Sequence, residues 1–168
     1  MASGERRAAG GSQESAASSP FAARREPFAA RREGGWYVVP WQVIFRDIDT
    51  FGHVNNAVYL TYFEIARTAL WLDLTGGASS RDVGFIVVRA EVDFRLQIGL
   101  EPIEIRVRIG DMRTTSFDTL YEIRTSDGRQ IAATGKVVVV LFDWKTNEKT
   151  PITDELRDRV RSFQRAAE

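Results

Sequence analysis

Apolar and polar residues alternate with period two along five stretches of this chain and recur with a helical period along one long stretch between them. Val39, Trp41, Val43 and Phe45 alternate with Pro40, Gln42, Ile44 and Arg46, which predicts a first strand. Pro40 has no N–H to donate, so that strand is expected to be short, to start near Pro40, or to lie with this residue at an edge. Over residues 56–74 the period changes. Leu60, Phe63, Arg67, Leu70 and Leu74 form one stripe, widened by Tyr59, Ala66 and Ala69, and Gly76 and Gly77 stand where a helix would stop. Few faces of this helix are strongly polar, so it is expected to be wrapped by other structure.

Four further strands follow with no helix between them. Residues 85–95 place Ile86, Val88, Ala90, Val92 and Phe94 on one face. Ile103, Ile105, Val107 and Ile109 alternate with Glu104, Arg106 and Arg108, and residues 116–124 form the next run. Ser126, Asp127 and Gly128 make a hairpin turn into residues 131–144, where the unbroken apolar run 137–142 predicts burial on both sides or at an interface. Pro151 and Thr153 then open a short helix, with Asp154 and Glu155 in the first turn, where the helix dipole favours acids. This order predicts an α+β fold in which one antiparallel sheet curls around a single long helix. The sheet keeps one partly exposed face and free edges, which argues for a homodimer or a higher oligomer such as a tetramer.

Composition narrows this picture. The 168 residues hold enough apolar side chains (43%) for one core, and residues 36–168 are taken as that domain. Residues 1–35 are mostly Ala, Arg, Ser, Gly and Glu and are expected to be a disordered tail. Within the tail, PFAARRE at residues 20–26 is repeated at 27–33. Two copies are too few for a solenoid; they make either a basic tether anchored by Phe21 and Phe28 or a plain duplicated extension. The formal net charge is zero, so the global balance asks for neither nucleic acid nor an anionic membrane. No apolar run reaches the roughly 20 residues of a membrane span, and the absence of cysteine fits the reducing cytoplasm.

The chemistry concentrates between Arg46 and Arg67, which read RDIDTFGHVNNAVYLTYFEIAR. Asp47 and Asp49 precede a turn through Thr50, Phe51 and Gly52, followed by His53, the one histidine of the chain, and then Asn55 and Asn56. Acids, a histidine and amides thus meet at a strand-to-helix junction, where the unpaired N–H groups of the first helical turn point outward. Asp47, two residues before Asp49, would face the opposite way on a continuing strand and is expected to pin the turn. Asn55 and Asn56 are good capping residues, and His53 either handles a proton or satisfies local backbone groups. One histidine and no cysteine do not build the usual metal ligand set, so no metal site is expected.

Asp47, Asp49, Gly52, Val54 and Tyr59, continued by Tyr62, Phe63, Glu64, Ala66 and Arg67, resemble the junction of the hot-dog-fold acyl-CoA thioesterases of the 4-hydroxybenzoyl-CoA thioesterase family. The element order over residues 39–142 is similar to theirs as well. The His53-Val54-Asn55-Asn56 string also resembles plant acyl-carrier-protein thioesterases, although Asp49 stands where those enzymes have asparagine. Hot-dog hydratases place their histidine at a different spacing and carry an asparagine missing here. The resemblance implies a hot-dog fold and hydrolysis of an acyl-CoA to a free acid and CoA. Asp49 would be nucleophile or general base, the amide around Asn56 would donate to the oxyanion, and His53 would orient water or the substrate carbonyl. Tyr59, Phe63 and Phe85 would line an acyl slot shared with a partner subunit, with Glu64 nearby or paired to Arg67. Arg89, Arg95, Arg113 and Lys136 are the cations offered to the CoA phosphates. No cofactor is implied, since CoA belongs to the substrate. An acyl-carrier-protein thioesterase and a catalytically silent acyl-binding module remain as alternatives.

Overall fold

A computed structural model of the chain describes residues 29–77 and 84–165. The elements run β1 (Arg31–Glu33), β2 (Trp36–Gln42), a 3-10 turn (Phe45–Asp47), α1 (Val58–Thr75), β3 (Phe85–Phe94), β4 (Pro102–Met112), β5 (Ser116–Thr125), β6 (Ile131–Asp143), β7 (Glu148–Lys149) and α2 (Asp154–Arg165). The strands form one antiparallel sheet in the order β1-β2-β4-β5-β6-β3, with β7 added to β6. The sheet curves around α1, the α+β architecture expected from the order of periods.

Each central strand gives alternate residues to the core. Ile103, Ile105, Val107 and Ile109 of β4 are buried, as are Phe117, Tyr121 and Ile123 of β5 and Ala133, Val137, Val139 and Leu141 of β6. The helix lies on this face: Phe63 stacks on Tyr121 with ring centroids 4.1 Å apart, and Trp71 stacks on Phe117. α1 ends at Gly76, which adopts the left-handed conformation (φ 73°) that glycine tolerates, and Gly77 N–H reaches back to Leu72 O. The opposite face carries ion pairs, among them Arg31–Glu104, Glu33–Arg106 and Arg124–Glu122, beside a few apolar residues such as Val38 and Val140.

Of the placements open to Pro40 the edge one holds: the Val43 N–H to Glu101 O bond fixes the ladder so that the Pro40 nitrogen faces away from β4, past the end of β1. Three expectations are revised. The first strand does not run on to Phe45 and Arg46: β2 ends at Gln42, and Phe45, in the 3-10 turn that follows, is exposed. Ordered structure starts before Trp36: Arg31–Glu33, the last three residues of the second heptad, form β1, while the first heptad lies outside the described residues. On β3, Ile86 and Val88 do not share a face with Ala90, Val92 and Phe94. A bulge between Val87 and Arg89 shifts the register, so Phe85 and Val87 oppose the inward Leu141 and Val139, and Ala90, Val92 and Phe94 oppose Val137, Gly135 and Ala133. β3 is also a sheet edge, and Val87, Val88 and Phe94 on it are about half exposed.

Candidate functional site

The junction between β2 and α1 folds as a small closed loop. Gly52 N–H bonds Asp49 O at 3.1 Å, Asp49 N–H bonds His53 O at 2.9 Å, and Ile48 bridges Val54. Gly52 has φ 83°, which a side chain would strain. Asp49 Oδ1 accepts the Phe51 N–H at 2.9 Å, which aims the carboxylate across its own turn and leaves Oδ2 without a partner among the described residues.

The helix then starts without a side-chain cap. Asn55 Oδ1 accepts the Ala57 N–H and Asn55 O accepts the Val58 N–H, each at 2.9 Å. Ala57 occupies the cap position with no side-chain hydrogen bond, and no acid sits in the first turn. The remaining first-turn N–H groups keep their positive end of the helix dipole unfilled by the protein. Among the described residues nothing accepts the Asn56 backbone N–H.

Asp49, His53, Val54, Asn56, Tyr59, Phe94, Arg95, Leu96 and Gln97 line one open cleft of about 340 Å³. Five of the residues singled out in the sequence therefore meet in space: Asp49, His53, Asn56, Tyr59 and Arg95. Tyr59 forms the inner wall, edge-on to Phe94 at 4.9 Å, and burial pushes its phenol above the ordinary tyrosine range. The cleft thus combines a carboxylate with a free oxygen, a half-buried imidazole, unfilled amides and an aromatic wall.

Other expected site residues lie elsewhere. Phe85 is buried between Trp71 and Phe117 at the far end of β3, about 30 Å along the strand from Phe94 at the usual rise per residue. Glu64 is exposed on α1, and Arg67 bonds the Tyr121 hydroxyl at 3.0 Å instead of pairing with Glu64. Phe63 is a core residue. Arg89 is neutralised by Glu91 at 2.6 Å, and Arg113 and Lys136 both clamp Asp118. Arg95 makes one bond, to Thr134 Oγ1 at 3.3 Å, and has no acidic partner among the described residues. It is the one cation of the four that also lines the cleft.

The loop after β3 was missed by pattern reading. Leu96 and Gln97 line the cleft, and Ile98 O accepts the Val54 N–H at 2.8 Å, joining this loop to the acid-bearing turn. Its signal is weak: alternation stops at Arg95, and Gly99 follows. Among the described residues no three His, Cys, Asp or Glu side chains converge to hold a metal ion, and no helix is long and apolar enough to cross a membrane.

The chain is similar to known thioesterases. The family model described as the Thioesterase-like superfamily matches residues 43–160. The long-chain acyl-CoA thioesterase FadM of Escherichia coli is 26% identical over 119 residues, covering 67% of this chain and 88% of that protein. A thioesterase of Thermus thermophilus solved with coenzyme A and zinc is 31% identical, with a TM-score of 0.66 over 76% of this chain and 92% of that one. A protein of Bacillus stearothermophilus described as a predicted thioesterase superposes with a TM-score of 0.69 at 24% identity, covering 76% and 95% of the two chains, a likeness of fold.

Proposed function

The chain belongs to the thioesterase-like superfamily of hot-dog-fold thioester hydrolases, and on that premise we propose that it cleaves acyl-CoA to a free carboxylic acid and CoA at the Asp49 cleft. The observation that carries this reading is the meeting of a carboxylate oxygen without a protein partner and an uncapped helix start in one solvent-open cleft.

The thioester carbonyl lies against the amides at the start of α1, with the Asn56 N–H foremost, and its oxygen takes negative charge there as the tetrahedral intermediate forms. Asp49 acts in one of two ways. As general base it takes a proton from water while the hydroxide adds to the carbonyl carbon; the C–S bond then breaks, and the CoA thiolate takes up that proton. As nucleophile it forms an aspartyl anhydride with loss of CoA, and water then hydrolyses the anhydride. His53 orients the water or the carbonyl, Tyr59 and Phe94 meet the acyl group, and Arg95 meets a CoA phosphate. Water is the only second substrate this hydrolysis needs.

The same reading includes a homo-oligomer in the cytoplasm. The free edge of β3, with Val87, Val88 and Phe94 half exposed, is the surface we assign to a second copy, paired strand to strand. Phe94 also lines the cleft, so this pairing places the partner beside the site.

A panel of acyl-CoA esters with matched acyl-carrier-protein thioesters tests the proposal. Turnover of CoA esters that falls by about 10²- to 10⁴-fold in Asp49→Ala is expected for loss of a general base or nucleophile. Full activity in that variant rejects the assigned role. Preference for the carrier-protein substrates moves the assignment to that class, and binding without turnover moves it to an acyl-binding module.

A further inference from the structure

Asp47, the first acid of the pair, is held unlike the second. Its carboxylate is 6% exposed, and one oxygen, Oδ2, accepts both the Tyr62 hydroxyl at 2.8 Å and the Ile44 N–H at 3.3 Å. Its backbone carbonyl accepts the Asn55 N–H at 2.8 Å. Tyr62 is 1% exposed and sits four residues into α1. Asp47 therefore ties together the chain leaving β2, the limb that closes the turn, and the helix. Asp49 hangs inside the loop so closed, and the first-turn amides belong to the helix so tied.

We propose that Asp47 and Tyr62 form a positioning pair that fixes the Asp49 carboxylate against the amide start of α1, acting through the shape of their hydrogen bonds and not through the charge of Asp47. The proposal rests on the role given to Asp49 above. Its chemistry follows from both bonds ending on one oxygen. An asparagine at this position puts its carbonyl oxygen where Oδ2 lies, accepts the same two donors, and turns its NH₂ to the side of Oδ1. On that side the nearest charged group is the Arg46 Nε at 3.9 Å, on a side chain that is 84% exposed. Removing the Tyr62 hydroxyl instead leaves a buried carboxylate oxygen with its longer bond alone, a loss the turn relieves by moving. Misplacement of a reacting group by about 1 Å lowers turnover by as much as 10²-fold.

The test uses the full chain, without a histidine tag, and two readouts. The first is kcat and KM on the best thioester of the panel. The second is the NMR spectrum of the His53 ring, which reports on the turn alone because the chain has no other histidine. Tyr62→Phe is expected to lower kcat about 10- to 100-fold with KM nearly unchanged, and to shift the His53 resonances. Asp47→Asn is expected to keep both wild-type kcat and the wild-type His53 spectrum. Wild-type kcat and spectrum in Tyr62→Phe overturn the positioning role. An inactive Asp47→Asn with an unchanged spectrum shows that the charge acts and overturns the proposal in its stated form. Full activity in Asp49→Ala removes the functional reading instead, and the His53 spectra still decide whether the pair holds the turn.

Discussion

A side chain at Gly135 on β6 would begin 2.2 Å from Cε2 of Phe63 on α1. No rotamer of so short a branch clears the ring, and the carbonyl of Glu91 stands 3.0 Å away on the other side. Gly135→Ala is therefore expected to destabilise the fold by about 1–3 kcal/mol, the usual cost of overpacking. Urea denaturation measures it, and adding Phe63→Leu is expected to recover part of the loss. Equal stability of Gly135→Ala and wild type would show that helix and sheet are not in contact there.

Arg95 predicts a split between substrates. With one hydroxyl partner and no acid among the described residues, its charge is available to a phosphate. Arg95→Ala is expected to raise KM about tenfold for an acyl-CoA, as loss of a charge-assisted bond does, and to leave KM unchanged for the acyl-pantetheine lacking the nucleotide. Arg113→Ala serves as comparison, because Asp118 already occupies that guanidinium through two bonds of 2.7 and 3.2 Å. An equal rise for both esters in Arg95→Ala would assign that residue to the acyl half.

Asp118 predicts the acid limb of stability. The Arg113 guanidinium, joined by Lys136, holds its carboxyl below the usual carboxylate range, although burial alone would raise it. A folded-state pKa below the unfolded value contributes stability that is present above about pH 4 and is lost as pH falls through the folded value. Asp118→Asn is expected to be less stable than wild type at pH 7 and to lose less between pH 7 and pH 3. Urea midpoints at the two pH values check this, and parallel losses would refute it.

The exposed edge of β3 predicts self-association. Val88 is the bulge residue, 55% exposed, on a strand that pairs on one side only among the described residues. Val88→Asp is expected to shift the chain from dimer toward monomer in light scattering across a concentration series, because a charge on the new edge must be desolvated. A monomeric wild type at all concentrations would remove this interface.

The bulge shows where pattern reading reaches its limit. Alternation along residues 85–95 is unbroken in the sequence, since Val87 and Val88 are both apolar and either parity can be continued. Only the pairing of β3 with β6 shows which residue is extra. Arg67 is similar: the helical stripe placed it inward, and the phenol of Tyr121, fifty-four residues away, supplies the bond that Glu64 does not. The 3-10 turn at Phe45–Asp47 was hidden by the alternation that continues through Phe45 and Arg46, although the strand ends at Gln42 and Phe45 faces solvent.

What the sequence determined by itself is local and repeating. Strand and helix periods set the element order and the inward face of β4, and the Asp-x-Asp-x-x-Gly-His string set the acid-bearing turn. Those features depend on neighbours within a few residues, which a linear reading sees. Tertiary structure decided which candidates meet. It brought Arg95 to Asp49, took Phe85 and Arg89 away, added Leu96 and Gln97, and joined Asp47 to Tyr62. These outcomes follow from sheet order and register, which depend on contacts between distant segments, so no local pattern carries them.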